Sequence, residues 1–302
     1  MKRLLVLYLS YLPTSLFFEL TLYLLPGPKI PSMIDSIIFP GTKFKIIDSI
    51  YQILDPDFEK KLDHHIHNFS LNKANLDIDQ IKDHEQLPFI RSDKYKMDWR
   101  LRQEDLSNIR REIGNKQNLS ILEIGPYNSW LTHHLHNDGH KVVSMDYFVD
   151  EAYGLKSKYY YKDHNWLSIQ CNLEKLDFLK PCFDIIVLNH GIHFFSNAEI
   201  PIIQLKRLLK PNGKLIILGL FIFIDESLKK KEVAEYKAKF KEKIGSDMFM
   251  YPSVKGYLDA SDLQILKQHQ IKLIQYKCCL LNNIAAKIYK RKQLYYWGFY
   301  PK

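Results

Sequence analysis

Cysteine, glycine and metal-ligand patterns are all sparse in this chain. Of 302 residues only 12 are glycine and four are cysteine, which excludes a fibrous, low-complexity or disulfide-stapled protein. Cys171, Cys182, Cys278 and Cys279 form no C-x-x-C pair and have no histidine at zinc spacing, so they read as reduced thiols of a reducing compartment. Histidines cluster at 64, 65 and 67 and again at 133, 134 and 136, yet no carboxylate or cysteine completes a ligand set. No metal is expected. No Asn-Pro-Pro-Tyr-like stretch and no recognised RNA-binding module occurs, so basicity alone would argue for a nucleic-acid partner, which is not expected.

Charge is present but uneven. The formal net charge is +9, and residues 227–302 hold 16 Lys and Arg against six Asp and Glu. Residues 1–95 hold 11 against 12. A basic C-terminal face could meet an anionic small molecule, a nucleic acid or an acidic membrane, or be a solvated lysine surface. Residues 4–25 are apolar apart from Ser10, Thr14, Ser15, Glu19 and Thr21, with Pro13 interrupting them. The length would reach across a bilayer, but Glu19 in mid-span is costly. No cleavage site of the signal-peptide kind follows. A single span would also put the rest of the chain outside the cell. An interfacial membrane helix, a helix packed on protein and a true span all remain open.

Pro26-Gly-Pro-Lys-Ile-Pro31 ends that segment. Two apolar stretches, 34–39 and 44–54, precede a helix opening at Asp55-Pro56-Asp57. Residues 71–95 read as a linker, and a helix runs over about 97–114. From residue 119 short Val, Ile and Leu runs alternate with helix-length segments. Expected strands lie at 120–124, 141–145, 166–171, 183–188 and 214–220, with helices at 129–138, 200–209 and 226–243. Little polar alternation within these strands points to a parallel sheet buried on both faces. Two closing strands, 271–279 and 284–289, read as an antiparallel edge hairpin. The fold class is α/β: a doubly wound, Rossmann-like sheet, mostly parallel, with that hairpin and a helical N-terminal extension. Residues 1–95 form the extension and 96–302 the catalytic domain.

The strongest stretch is Ile121-Leu-Glu-Ile-Gly-Pro-Tyr-Asn-Ser-Trp-Leu131, followed by Gly139-His-Lys-Val-Val-Ser-Met-Asp146. A strand ends in Glu-x-Gly, turns into a helix, and a second strand ends in an acid about 20 residues on. Such a turn brings backbone against a nucleotide, and the acid can accept both ribose hydroxyls. The order resembles the class I S-adenosylmethionine-dependent methyltransferases, in particular a bacterial subgroup. Cys171-Asn-Leu-Glu-Lys-Leu-Asp-Phe178, Phe183-Asp-Ile-Ile-Val-Leu-Asn-His-Gly-Ile-His193 and Leu208-Leu-Lys-Pro-Asn-Gly-Lys-Leu-Ile-Ile-Leu218 extend it. The resemblance covers about residues 96–290.

The resemblance implies S-adenosylmethionine as cofactor and methyl transfer to oxygen or nitrogen of a small-molecule or lipid-linked acceptor in the cytoplasm; peripheral membrane contact through residues 1–25, which the resemblance does not reach, stays one of the open readings of that segment. It implies that Glu123, Gly125, Tyr127 and Asn128 shape the cofactor pocket and that Asp146 binds ribose. Tyr147 would pack beside the adenine, Asn172 and Leu173 would meet its edge, and Asn189 would face the sulfonium. Two departures stand out: Tyr127 and Ser129 occupy glycine positions of the family loop, and Asn172 replaces the usual acid. They keep a second reading alive, a catalytically inactive protein of this fold that regulates a partner at the membrane. For a proton acceptor, His193 just past the fourth strand is the first candidate and His190 the second. The lysine-rich helix after the fifth strand carries Val233, Tyr236 and Phe240 on one stripe and reads as a plain amphipathic helix or as a substrate lid that contacts an anionic acceptor.

Overall fold

Short runs rich in Val, Ile and Leu, buried on both faces, make the central strands, and the helices between them bury one stripe each. The computed structural model describes residues 31–76, 81, 83–90, 95–251, 253–289 and 293–301. The apolar segment 4–25 lies outside them. The element order is α1 (Pro31–Ile37), β1 (Lys45–Ile47), β2 (Ile50–Ile53), α2 (Pro56–Asn72), α3 (Lys96–Ile113), β3 (Ser120–Ile124), α4 (Trp130–Asn137), β4 (Lys141–Asp146) and β5 (Leu167–Cys171). It continues with β6 (Phe183–Leu188), α5 (Glu199–Arg207), β7 (Leu209–Phe223), α6 (Glu226–Ile244), α7 (Ala260–Gln268), β8 (Lys272–Gln275), α8 (Leu280–Tyr289) and β9 (Gln293–Pro301).

Among the described residues the strands form one sheet in the order β1-β2-β5-β4-β3-β6-β7-β9-β8. The run from β2 to β7 is parallel, and β1, β9 and β8 pair antiparallel at the two sides. Successive strand residues feed opposite faces: Leu122 and Val143 enter one core with Ile202 and Leu266, while Ile121 and Val142 enter the other with Trp99, Leu106 and Trp130. Both cores are closed by helices, as a doubly wound sheet requires.

Two expectations change. Residues 284–289 are not a strand. They belong to α8, because Leu280, Leu281, Ile284 and Ile288 recur at helical spacing on its exposed side. The antiparallel edge is instead made by β8 and β9, with α8 between them. The segment before residue 96 is also more than helical. Its strand β2 runs parallel to β5, with Tyr51 opposite Ile169, and Ile34, Ile37 and Ile38 join the core under β4 and β5. The helix expected after Asp55 is present, with Pro56 in its first turn and the Asp55 carboxylate accepting from the Phe58 N–H at 3.0 Å.

Candidate active site

The sheet order reverses between β3 and β6, so their carboxyl ends part and leave a crevice. There the Asn189 N–H donates to the Ile124 carbonyl at 2.9 Å, and the Gly125 N–H donates to the Met145 carbonyl at 2.9 Å. Gly125 has φ +73°, and a Cβ on it would sit 3.4 Å from the Asn189 carbonyl oxygen. Glycine therefore keeps bare backbone at the switch point, where a ligand can approach closely.

The loop that follows retains a glycine-like path without glycine. Tyr127 at φ 54° and Ser129 at φ 61° both take the left-handed conformation, which costs about 1–2 kcal/mol per residue. Bonds to the neighbouring segment hold it. The Ser129 hydroxyl pairs with that of Ser157 at 2.8 Å, the Ser157 hydroxyl contacts the Tyr127 carbonyl at 3.3 Å, and the Tyr161 hydroxyl donates to the Asn128 carbonyl at 2.8 Å. The Tyr127 ring stacks on Tyr153 with centroids 5.6 Å apart and forms a wall. Ser129 turns away from the crevice. A cavity of about 700 Å³ remains beside this loop, within the usual range of about 300–1,000 Å³ for a small-ligand site.

Of the residues singled out in the sequence, Gly125, Tyr127, Asp146, Tyr147, Leu173, Asn189, His190 and His193 all line this cavity. Three do not. Glu123 is fully buried beneath the loop, accepting from the Thr132 hydroxyl and from Asn189 Nδ2 at 2.7 Å. It fixes Asn189 from beneath. Asn128 is sealed behind the loop, with neither side-chain atom partnered. Asn172 has its oxygen taken by the Tyr251 hydroxyl at 2.8 Å and the Glu174 N–H at 3.0 Å. Its side chain ties the β5 loop to the cavity roof.

The electrostatics follow from burial. Desolvation pushes Asp146 up to about 7 despite the Phe148 and Tyr147 backbone amides it accepts from, and pushes Glu123 up to about 7 as well. Burial likewise raises the Tyr147 phenol. His193 moves the other way, to about 4, because burial first, then His190 and Lys229, disfavour its cation. Arg102 and Asp98 of α3 stand at the cavity edge, with the Arg102 guanidinium 5.9 Å from the Tyr127 ring centroid.

The roof is aromatic and joins two distant segments. His65 and Phe69 descend from α2, Tyr236 and Phe240 from α6. Asn68 Nδ2 and Asn72 Nδ2 donate to the carbonyls of Gly245 and Ile244 at 3.2 and 3.3 Å, clasping the two helices. Of the stripe read from the sequence, Tyr236 and Phe240 line the cavity and Val233 does not. The contribution of α2 was missed, although its buried His65 and Phe69 are spaced one helical turn apart. Asp105 and Tyr276, which stand behind His190, were missed too. The only hint was an acid set in the apolar face of α3.

Comparison with known proteins finds methyltransferases. Residues 122–217 match the family model described as a methyltransferase domain. The ubiquinone/menaquinone biosynthesis C-methyltransferase UbiE of Blochmanniella pennsylvanica (strain BPEN) is 38% identical over 55 residues, 18% of this chain and 22% of that protein. The protein of the same name from Paraburkholderia xenovorans (strain LB400) is 23% identical over 107 residues, 33% and 44% respectively. The chain thus matches less than half the length of these curated relatives. Among solved structures, the geranyl diphosphate C-methyltransferase of Streptomyces coelicolor A3(2) is 9% identical. That match covers 81% of this chain and 97% of the other at a TM-score of 0.48.

Proposed function

We propose that this chain, whose residues 122–217 match the family model described as a methyltransferase domain, is a class I S-adenosylmethionine-dependent methyltransferase that moves the cofactor's methyl group to oxygen or nitrogen of a small-molecule or lipid-linked acceptor. The observation that carries this reading is the cavity at the switch point. Bare backbone at Gly125 and the Asp146 carboxylate stand on its floor, and an aromatic roof lies above.

Its residues suit that cofactor. Asp146 would accept the ribose hydroxyls, and Tyr147 and Leu173 would flank the adenine. Asn189, held by Glu123, would fix the backbone beside the sulfonium. With Asn172 committed to Tyr251, the adenine edge is left to the Leu173 backbone. When bound, S-adenosylmethionine supplies a methyl group on a positively charged sulfur. The chain supplies orientation and a water-poor enclosure, which together account for much of the acceleration in such transfers. Phe69, Phe194, Tyr236 and Phe240 favour an acceptor with an apolar or aromatic body, and Arg102 at the edge would meet an anionic group on it. Among the described residues no helix is long and apolar enough to cross a membrane.

The competing reading, an inactive regulatory scaffold, rested on Tyr127 and Ser129 crowding the cofactor. The outward turn of Ser129 and the wall position of Tyr127 favour the enzyme. Isothermal calorimetry with S-adenosylmethionine and S-adenosylhomocysteine tests it, with micromolar dissociation constants expected. No heat at millimolar cofactor would leave only the scaffold.

A further inference from the structure

A line of hydrogen bonds runs from β7 through the interior and ends on the cavity. The Gly219 N–H donates to the Tyr276 hydroxyl at 3.1 Å, and that hydroxyl donates to Asp105 Oδ1. Asp105 Oδ2 lies 2.7 Å from His190 Nε2. Asp105 and Tyr276 are wholly buried, whereas His190 lines the cavity with its side chain 16% exposed. Burial, and then the Asp105 charge, hold the Tyr276 phenol well above its usual range, so Tyr276 stays a donor.

This fixes the imidazole. A carboxylate only accepts, and Tyr276 already supplies one of its protons, so the bond at Oδ2 calls for N–H on His190 Nε2. The lone pair is then on Nδ1. No hydrogen bond to that atom is present among the described residues, and His190 is one of the residues that line the cavity. Gly219, at φ +66°, makes the room: a Cβ there would come within 2.3 Å of His190 Nδ1. His190 itself sits at φ 51°, a left-handed conformation that persists where its surroundings impose it. Among the described residues His193 has no such acid behind it.

We propose that His190 is the proton acceptor of the transfer, with Asp105 and Tyr276 its positioning residues. This rests on the methyl-transfer reading above. The acceptor's heteroatom forms its bond to the methyl carbon as the carbon–sulfur bond breaks. The electron pair of that bond stays on the sulfur of S-adenosylhomocysteine, and the acceptor's proton passes to His190 Nδ1 and later to water. Asp105 keeps its hydrogen bond to the imidazolium at Nε2. Among the described residues, His193, Asp146, Asp98, Arg102, Tyr127 and Tyr236 are titratable groups that line the same cavity, and Lys229 acts on His193, so each variant is read against the full wild-type chain.

Two measurements on the full chain test this. Nitrogen-15 NMR should find His190 protonated at Nε2 in the wild type. In Asp105→Asn it should be protonated at Nδ1, because the new amide donates where the carboxylate accepted. Tritium transfer from methyl-labelled S-adenosylmethionine into an extract of the native host should fall about 100- to 10,000-fold in His190→Ala and Asp105→Asn, the usual worth of a positioned base. The loss should appear in kcat, with cofactor affinity within threefold, and Tyr276→Phe should lose about tenfold. An Nδ1–H tautomer in the wild type, or full transfer in folded Asp105→Asn, overturns the proposal. Absent cofactor binding or absent labelled product in the wild type removes the methyl-transfer reading itself, and the base with it.

Discussion

Cofactor affinity should rise about tenfold between pH 6 and pH 8, and Asp146 should be the cause. Burial holds this carboxyl at about 7 in the free protein, while ribose hydroxyls are best accepted by its ionised form. A raised carboxyl pKa means the group is protonated below 7, so ligand and proton compete there and cease to compete above it. About one molecule in eleven is ionised at pH 6 and ten in eleven at pH 8, a ratio of about ten, or ~1.4 kcal/mol. Calorimetry at both pH values gives the affinities. At pH 7, buffers of different ionisation enthalpy should report about half a proton released per cofactor bound. Glu123 titrates in the same range but lies under the loop, bonded to Thr132 and Asn189. Glu123→Gln should therefore keep the slope, and Asp146→Asn should bind weakly with no slope. Equal affinity at pH 6 and 8, or a slope that vanishes only in Glu123→Gln, refutes the assignment of the ribose site.

Other changes have equally direct readouts. Gly219→Ala drives a methyl group into His190 and should abolish transfer while leaving cofactor binding within threefold; normal turnover would show that His190 can stand elsewhere. Tyr127→Gly relieves a left-handed tyrosine but loses the stack on Tyr153, two effects of about 1 kcal/mol that oppose each other. Its melting temperature and cofactor affinity should both stay close to wild type, and a tenfold gain in affinity would mean the ring obstructs the site. Phe240→Ala opens the roof between α2 and α6 and should cost about 3 kcal/mol in denaturant unfolding. Tyr236→Ala, at an exposed position, should cost under about 0.5 kcal/mol and raise only the acceptor's KM.

What was legible in the sequence was local. Glu123, Gly125 and Asp146 sit within 24 residues of one another, and a strand, turn and helix in that order leave little choice of geometry. The strands from β3 to β7 were readable for the same reason, being short runs buried on both faces. Illegible features depended on partners far along the chain. Asp105 meets His190 across 85 residues and Tyr276 across 171, and nothing in the local pattern of any of the three announces the others. Asn172 matched its motif position, but its oxygen was claimed by Tyr251, 79 residues on. The α8 segment misled because Ile and Tyr favour strands intrinsically, whereas its neighbours set a helical period. His190, ranked second, gained its standing from a buried carboxylate behind it.

The clasp between α2 and α6 has a consequence for how the polypeptide matures on the ribosome. Asn72 finds its partner carbonyl 172 residues later, which at ordinary elongation rates is a wait of about ten to thirty seconds. Strand β2 has no parallel neighbour until β5 has emerged, and Phe69, which meets Phe148 earlier, is covered by Phe240 only once α6 follows. A nascent chain stalled before residue 226 should therefore bind chaperones and resist compaction, and protease protection of residues 56–72 should come only as α6 emerges.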